Sequence, residues 1–585
     1  MKTFAVTLAM GVCMSAVFAS AEKETWKQQF QRVSDEYFDQ VYFHYAPTAG
    51  TMTGYHQYDA QLEDYSRKSI DAEIAALRSF AKRVEAIPGD DPSLDLTTRG
   101  DRELVLGSIR SELLTLETIR MWEKDPDVYS STASNAAFVL MERKFAPADD
   151  RLRSLIAREK QMPALLDEAR ANLRNPPHIY TEIAIEQLPD IVSFFEKDVP
   201  AAFADAQDPA LKAEFATSNS AVIAALNRYL AWLKSDLLPN SNGDFRIGAA
   251  TFSKKLDYDE MVDIPLDRLL EIGWADLRKN QQHFHAVAKE LEPSKDPRAV
   301  LDELGANHPA PDHLLQSFRD TFDSLVGFIR SHRIVTIPSD VRPIVEETPP
   351  FMRATTFASM DTPGPFETHA TEAYFNVTLP DPSMTPQEVE GYMHAFNIGT
   401  VISTAVHEAY PGHYIQFLWV PQAPSRVRKI LGANSNAEGW AHYCEQMMLD
   451  EGYGQVGAGA KDEREAKFLR LGQIQDALLR DARFIVGIEM HTGKMSYDQA
   501  IEFFEKEGYQ SKESAVVESK RGTSDPTYLY YTLGKLEILK LREDLKKKEG
   551  DRFSLEQFHN NFLRQGFPPI KIVRRAMLGD DSPTL

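Results

Sequence analysis

The chain has 585 residues, 43% of them hydrophobic and 26% charged. That excludes a disordered polymer and is enough for one large helical enzyme or two to three lobes with cores of their own. Asp and Glu number 87 against 65 Lys and Arg, a formal net charge of -22; such a surface repels phosphate backbones and argues against nucleic acid as a partner.

The first residues read MKTFAVTLAMGVCMSAVFASAEKETW: one Lys2, an apolar run from Phe4 to Phe18, then Ala19-Ser20-Ala21. This is the pattern of a secretory signal peptide cut after Ala21, and it predicts a secreted or periplasmic protein. A lipid anchor on Cys13 is the rival, but Val12 stands where a small residue should precede the cysteine. With residues 1–21 removed only Cys444 remains, so no intrachain disulfide is expected. No later run of 18 uninterrupted apolar residues occurs, and stable membrane insertion is not expected.

Five stretches carry apolar residues at helical spacing: Ala72 to Ile87, Asp149 to Leu173, Ala210 to Leu237, Leu266 to Leu291 and Glu463 to Met490. Strand-like sequence is confined mainly to about Arg333 to Val345 and Glu372 to Leu379. The prediction is a mainly α fold with a small β-sheet. Turn-rich text at Pro239 to Asp244 places a lobe boundary near Gly243, giving an N-terminal helical lobe over 22–243 and a motif-bearing lobe over 244–585.

The motif is HEAYPGHYIQ, His407 to Gln416. Zinc hydrolases usually carry H-E-x-x-H, whose histidines share a helix face; six residues apart on a regular helix they point about 240° apart. Pro411 lacks the N–H that would bond the His407 carbonyl, and Gly412 beside it tolerates unusual dihedrals. A kink or bulge is therefore expected just before His413. Zinc wants neutral imidazoles and a carboxylate with one position left for water, and Glu408 is the natural base for that water. Taken alone, the spacing also fits two ordinary core histidines.

Twenty-five residues on, NSNAEGWAHYCE places Glu438, His442 and Glu445 on one helical stripe. Glu438 is a candidate third ligand, though Ser435-x-x-Glu438 also reads as a capping box.

HEAYPGHYIQ and AEGWAHYCEQ, with PPFMRAT and AYFNVTLP upstream and YYTLGKLEILKLR downstream, resemble the bacterial domain-of-unknown-function family 885, predicted secreted zinc metallopeptidases. The resemblance covers nearly all of the mature chain. It implies a large, multi-helix, deep-clefted metallopeptidase fold similar to the thermostable carboxypeptidase and oligopeptidase group, with one zinc ion per chain. Carried over by position, His407, His413 and Glu438 are the metal ligands and Glu408 the catalytic carboxylate. Tyr531 matches the tyrosine of a family segment S-Y-x-x-G-x-L and is expected to donate to an oxyanion. His491 matches the histidine of a D-T-G-x-H segment, here departing to Gly487-Ile488-Glu489; the resemblance implies support of the transition state, and a structural histidine ending a helix is the alternative. Arg521 matches a family arginine that could hold a substrate carboxylate, or could pair with Glu518 or Asp525. Ala373 to Val377 reads as a strand; in related zinc peptidases an edge strand at this place holds extended substrate, which would make Tyr374 and Asn376 substrate contacts, and a short core strand is the alternative.

The expected activity is hydrolysis of oligopeptides. A non-catalytic peptide-binding protein and a zinc hydrolase of a non-peptide amide or ester are the alternatives, and retention of Glu408 speaks against the first. Sequence says nothing of the oligomeric state.

Overall fold

A computed structural model describes residues 24–349, 353 and 356–585. The signal peptide over 1–21, Cys13 and most of PPFMRAT lie outside the described residues. The described chain is mainly helical with a three-stranded sheet and a two-stranded ladder. None of the described helices is long and apolar enough to cross a membrane.

Helical spacing predicted the long helices closely. The first runs Arg67–Glu85, and α1 occupies Leu266–Leu291. The stretch 149–173 is corrected: it is two helices, Ala148–Glu159 and Met162–Asn172. Pro163 is the reason, since it has no N–H to return to the Glu159 carbonyl. The helix Pro209–Trp232 continues as a single π turn to Leu237.

The strand expected over 333–345 is also corrected. After α2 (Leu314–His332) the chain is irregular until β1, Ile344–Glu347. Pro338 and Pro343 supply no donors, and the segment is instead tied to helices, as where the Trp419 indole donates to the Thr336 carbonyl at 3.1 Å. Two more strands follow, β2 (Ala358–Asp361) and β3 (Tyr374–Val377). The order is β1-β3-β2, parallel between β1 and β3 and antiparallel between β3 and β2.

Apolar side chains form several cores. One draws only on residues from Leu62 to Leu237. Another joins Phe30 through Trp122 to Val427, Leu431 and Ile572, so side chains from both sides of Gly243 share it. Arg428 and Asp101, both buried, pair across the same junction at 2.6 Å. The largest core packs α2, the sheet and the helices of the motif region, with Phe318, Phe322, Phe375 and Trp440 at its centre. A cleft of about 1440 Å³ is lined by residues from both ends of the chain, among them Tyr37, Glu112, Glu142, Ser359, Met360 and Tyr414.

Candidate metal centre and active site

Six further helices build the site: α3 (Pro386–Met393), α4 (Ile398–Glu408), α5 (His413–Trp419), α6 (Asn434–Asp450), α7 (Glu463–His491) and α8 (Lys512–Ser524). A seventh, α9, spans Tyr530–Glu549.

The expected kink in HEAYPGHYIQ is a complete break. Helix α4 stops at Glu408 and α5 starts at His413, with a cis Tyr410-Pro411 bond between them. The Gly412 amide reaches back six residues to the Val406 carbonyl at 2.9 Å. A side chain at Gly412 would put its Cβ 1.8 Å from the His407 carbonyl oxygen, so only glycine lets the chain fold back this tightly. The result turns His413 toward His407, their rings 4.9 Å apart and nearly perpendicular.

Glu438, from α6, completes a triangle. Its Oε2 lies 3.3 Å from His407 Nε2 and 3.4 Å from His413 Nε2. Zinc bonds of about 2.0 to 2.1 Å in a tetrahedron put ligand atoms about 3.3 to 3.4 Å apart. The same Oε2 is buried with no hydrogen-bond partner, and uncompensated burial of a carboxylate oxygen is costly unless a cation takes it up. The donor set and its spacing fit zinc.

Glu445, wholly buried two turns further along α6, explains why that helix is so polar inside. Its Oε1 accepts from His407 Nδ1 at 2.7 Å and pairs with Arg480 at 3.2 Å, while Oε2 accepts from His442 Nδ1 at 3.1 Å. The first bond fixes the His407 tautomer so that Nε2 presents its lone pair to the metal position. Burial alone would raise the Glu445 pKa, but Arg480 and His442 hold it far below the usual carboxylate range. His442, whose pKa burial lowers to about 3, stays neutral behind Glu445 and is not part of the triangle.

Glu408 follows His407 at the end of α4. Burial raises its pKa, while His413 and His407 favour its charge and the Met360 amide of β2 donates to it.

That last contact bears on the strand. The reading of 373–377 as an edge strand is corrected: β3 lies in the middle of the sheet, with partners on both sides. The edges are β1 and β2, and it is β2 that borders the cleft; sequence reasoning missed it because Ala-Ser-Met-Asp is short and has no β-branched residue. The Thr378 amide donates to the Phe357 carbonyl at 2.9 Å, so alternation along the ladder leaves the amides and carbonyls of Ala358 and Met360 facing outward. Asn376 lines the cleft opposite Ser359, and its buried Oδ1 has no partner. Tyr374 instead sits under the Arg143 guanidinium, 5.4 Å from ring centre.

Tyr531 stacks at 6.3 Å against His407 and is flanked by Arg480 and Arg483. Arg521 Nη2 donates to both Tyr530 and Tyr531 hydroxyls at 3.2 Å and to Asp525 at 3.3 Å; Glu518 is taken by Arg483. The Tyr530 hydroxyl gives its own proton to Asp525 at 2.9 Å. Among the described residues the Tyr531 hydroxyl only accepts, so no described acceptor takes its proton.

His491 is not brought to this group. It is buried at the end of α7, where Nε2 donates to the Gly522 carbonyl at 2.7 Å beside Phe245 and Phe252. Burial lowers its pKa to about 4, so it is a neutral donor holding the residue next to Arg521.

Helix crossings at glycine pairs bring these elements so close. α6 and α9 meet at Gly439 and Gly534, and α4 and α7 at Gly399 and Gly472, with backbone against backbone in both. Arg480 and Arg483 escaped sequence reasoning; the available signal was two arginines in the apolar run ALLRDARFIV, which an exposed helix face does not explain.

The profile of a family described as "Bacterial protein of unknown function (DUF885)" matches residues 47–577. Two solved structures are similar over almost their whole length. One is titled "The structure of a putative lipoprotein of unknown function from Shewanella oneidensis": it is 27% identical, with 95% of this chain and 100% of that one covered and a TM-score of 0.77. The other is a "putative lipoprotein from Colwellia psychrerythraea", 19% identical, with 94% and 99% covered and a TM-score of 0.77; at that identity the likeness concerns the fold alone. No curated protein matches the chain.

Proposed function

This chain belongs to the bacterial protein family DUF885, and from that premise we propose that it is a zinc-dependent peptidase acting on oligopeptides in a deep-clefted, metallopeptidase-like fold. The observation that carries the reading is the His407–His413–Glu438 triangle at tetrahedral spacing, buttressed through His407 by Glu445 and adjoined by a carboxylate, Glu408, that an inert metal site would not need.

Zinc held there would polarise a scissile carbonyl and acidify a water. Glu408 accepts a proton at its carboxylate and returns it to the leaving amine; its raised pKa suits that exchange. Tyr531 donates its free hydroxyl proton to the oxygen on which negative charge develops, with Arg521 polarising that hydroxyl. The outward amide and carbonyl of Ala358 hold an extended peptide along β2, and Met360 keeps Glu408 oriented.

Metal analysis tests the centre. His413→Ala is expected to lose zinc from this site and with it all cleavage of a mixed peptide library, as chelation does to the wild type; undiminished activity in either case would sink the proposal.

Arg521 gives the direction of attack. Its Nη2 makes all three of its hydrogen bonds among the described residues, which leaves an N–H of Nη1 or Nε, on separate edges of the guanidinium, to meet a substrate carboxylate through a single charge-assisted bond. Free-acid peptides are then cut at least tenfold faster than their C-terminal amides, and Arg521→Ala erases the difference. Equal rates on acid and amide by the wild type would move the assignment to an endopeptidase or aminopeptidase.

We read the chain as exported, in keeping with the description of the similar Shewanella oneidensis protein as a putative lipoprotein. The N-terminal residue of the purified protein decides between cleavage after Ala21 and a lipid on Cys13.

A further inference from the structure

We propose a second metal site, formed by His308, Glu390 and His394 beside the N-terminus of α4, that takes one divalent transition-metal ion and ties down the base of the helix carrying His407 and Glu408. This goes beyond the peptidase reading and does not depend on it.

His308 follows the short helix Val300–Gly305, Glu390 is on α3, and His394 opens the 3-10 turn between α3 and α4. Glu390 Oε1 lies 3.3 Å from His308 Nε2 and 3.8 Å from His394 Nε2, and the three ligand atoms are all within 4.8 Å of one another. Four residues separate Glu390 from His394, which sets both on one helical face.

The orientation of His308 suits a metal ligand. Its Nδ1 is 2.8 Å from the Pro309 carbonyl oxygen, an atom that can only accept, so Nδ1 carries the hydrogen. That leaves Nε2 as the ring atom turned to Glu390 Oε1, 3.3 Å away, where it can serve as a metal ligand beside the carboxylate. The His394 ring aims its Nε2 at the same oxygen. The two rings lie 6.0 Å apart between centroids, and one metal ion would take a ligand atom from each of the three side chains at once.

The surroundings are shaped for this. A Cβ at Gly305 would come within 2.9 Å of His394 Nδ1, so glycine leaves the ring its place against the backbone. The His308 side chain is only 10% exposed, whereas His394 and Glu390 are 42% and 61% exposed. The ion would keep water on its open side and bind less tightly than at the closed triangle. Two imidazoles and one carboxylate select zinc, cobalt, nickel or copper over calcium or magnesium, which prefer oxygen.

The role follows from what the site joins. The Ile398 amide at the start of α4 already donates to the Asn307 carbonyl at 2.9 Å. A metal on His308 and His394 would reinforce that single bond with a cross-link between segments more than eighty residues apart in sequence. The catalytic end of α4 lies roughly 15 Å further on, so the ion would act on stability and not on the reacting atoms.

The test counts metal on the full mature protein, stripped by chelator and then titrated with Zn2+ and, separately, Co2+. Wild type is expected to bind two ions per chain, and the His308→Ala/His394→Ala double variant one. The His413→Ala variant is also expected to bind one, and its thermal midpoint to rise with Zn2+. Glu390→Gln, a mild change at an exposed position, should weaken the second ion at least tenfold with the fold intact. If the double variant or Glu390→Gln titrates like wild type, or His413→Ala binds none, the second site is overturned. Failure of the peptidase reading looks different: the wild type would bind its metals and cleave nothing.

Discussion

Glu408→Gln is expected to retain the fold and the zinc while lowering kcat by about two to four orders of magnitude, the range supplied by a positioned general base. The amide fills the same volume at the end of α4 and can still accept from the Met360 amide; what it cannot do is take up a proton. The amide matches the carboxylate in shape and volume, so the variant should fold as the wild type does. KM should change little, because the loss is confined to proton transfer. Peptide hydrolysis at near wild-type kcat, with zinc content verified, would remove Glu408 from the reaction.

The parts of the site that were legible in the sequence are those in which one local rule decides the geometry. Pro411 and Gly412 announced a disruption between the two histidines, though not its extent: the depth of the break depends on the Gly412 amide finding the Val406 carbonyl, a choice that spacing alone does not make. Periodicity placed Glu445 on the stripe of Glu438. That it grips His407 Nδ1 from behind depends on the packing of α6 against α4, which is long-range. The same limit hid β2. Four half-buried residues with no alternation carry no strand signal, and they pair only because β3 lies beside them. His491 was read from a motif position; its ring is instead committed to Gly522, a contact made between α7 and α8. Long amphipathic helices were legible nearly to their ends because their apolar faces are repeated many times over. The break at Lys160 and Gln161 was missed although Pro163 stood in plain view.

Gly534→Ala should be the most damaging single-atom-scale change away from the metal ligands. Alanine is the better helix former by about 1 kcal/mol, so at an ordinary position in α9 it would stabilise. Here the added Cβ would lie 1.8 Å from the Ser435 carbonyl oxygen and 2.8 Å from Gly439 Cα. Both are backbone, and no side chain can swing away, so α6 and α9 must move apart by an ångström or more. Overpacking of this kind costs about 1 to 3 kcal/mol where side chains can adjust, and a rigid backbone crossing should cost at least the upper end. The displacement also reaches the chemistry: Glu438 is the neighbour of Gly439 on one helix, and Tyr531 stands one turn before Gly534 on the other. Misplacement by about 1 Å can lower a rate by about a hundredfold, so residual activity should fall further than the folded fraction does. Gly327→Ala in α2 is the matched control, since a Cβ there meets nothing within 4 Å; it should raise stability by roughly 0.5 to 1 kcal/mol. Denaturant unfolding of the two variants beside wild type reads the contrast directly. A Gly534→Ala protein as stable and as active as wild type would mean that α6 and α9 do not cross in contact, and the account of how Glu438 and Tyr531 come to share one site would fall with it.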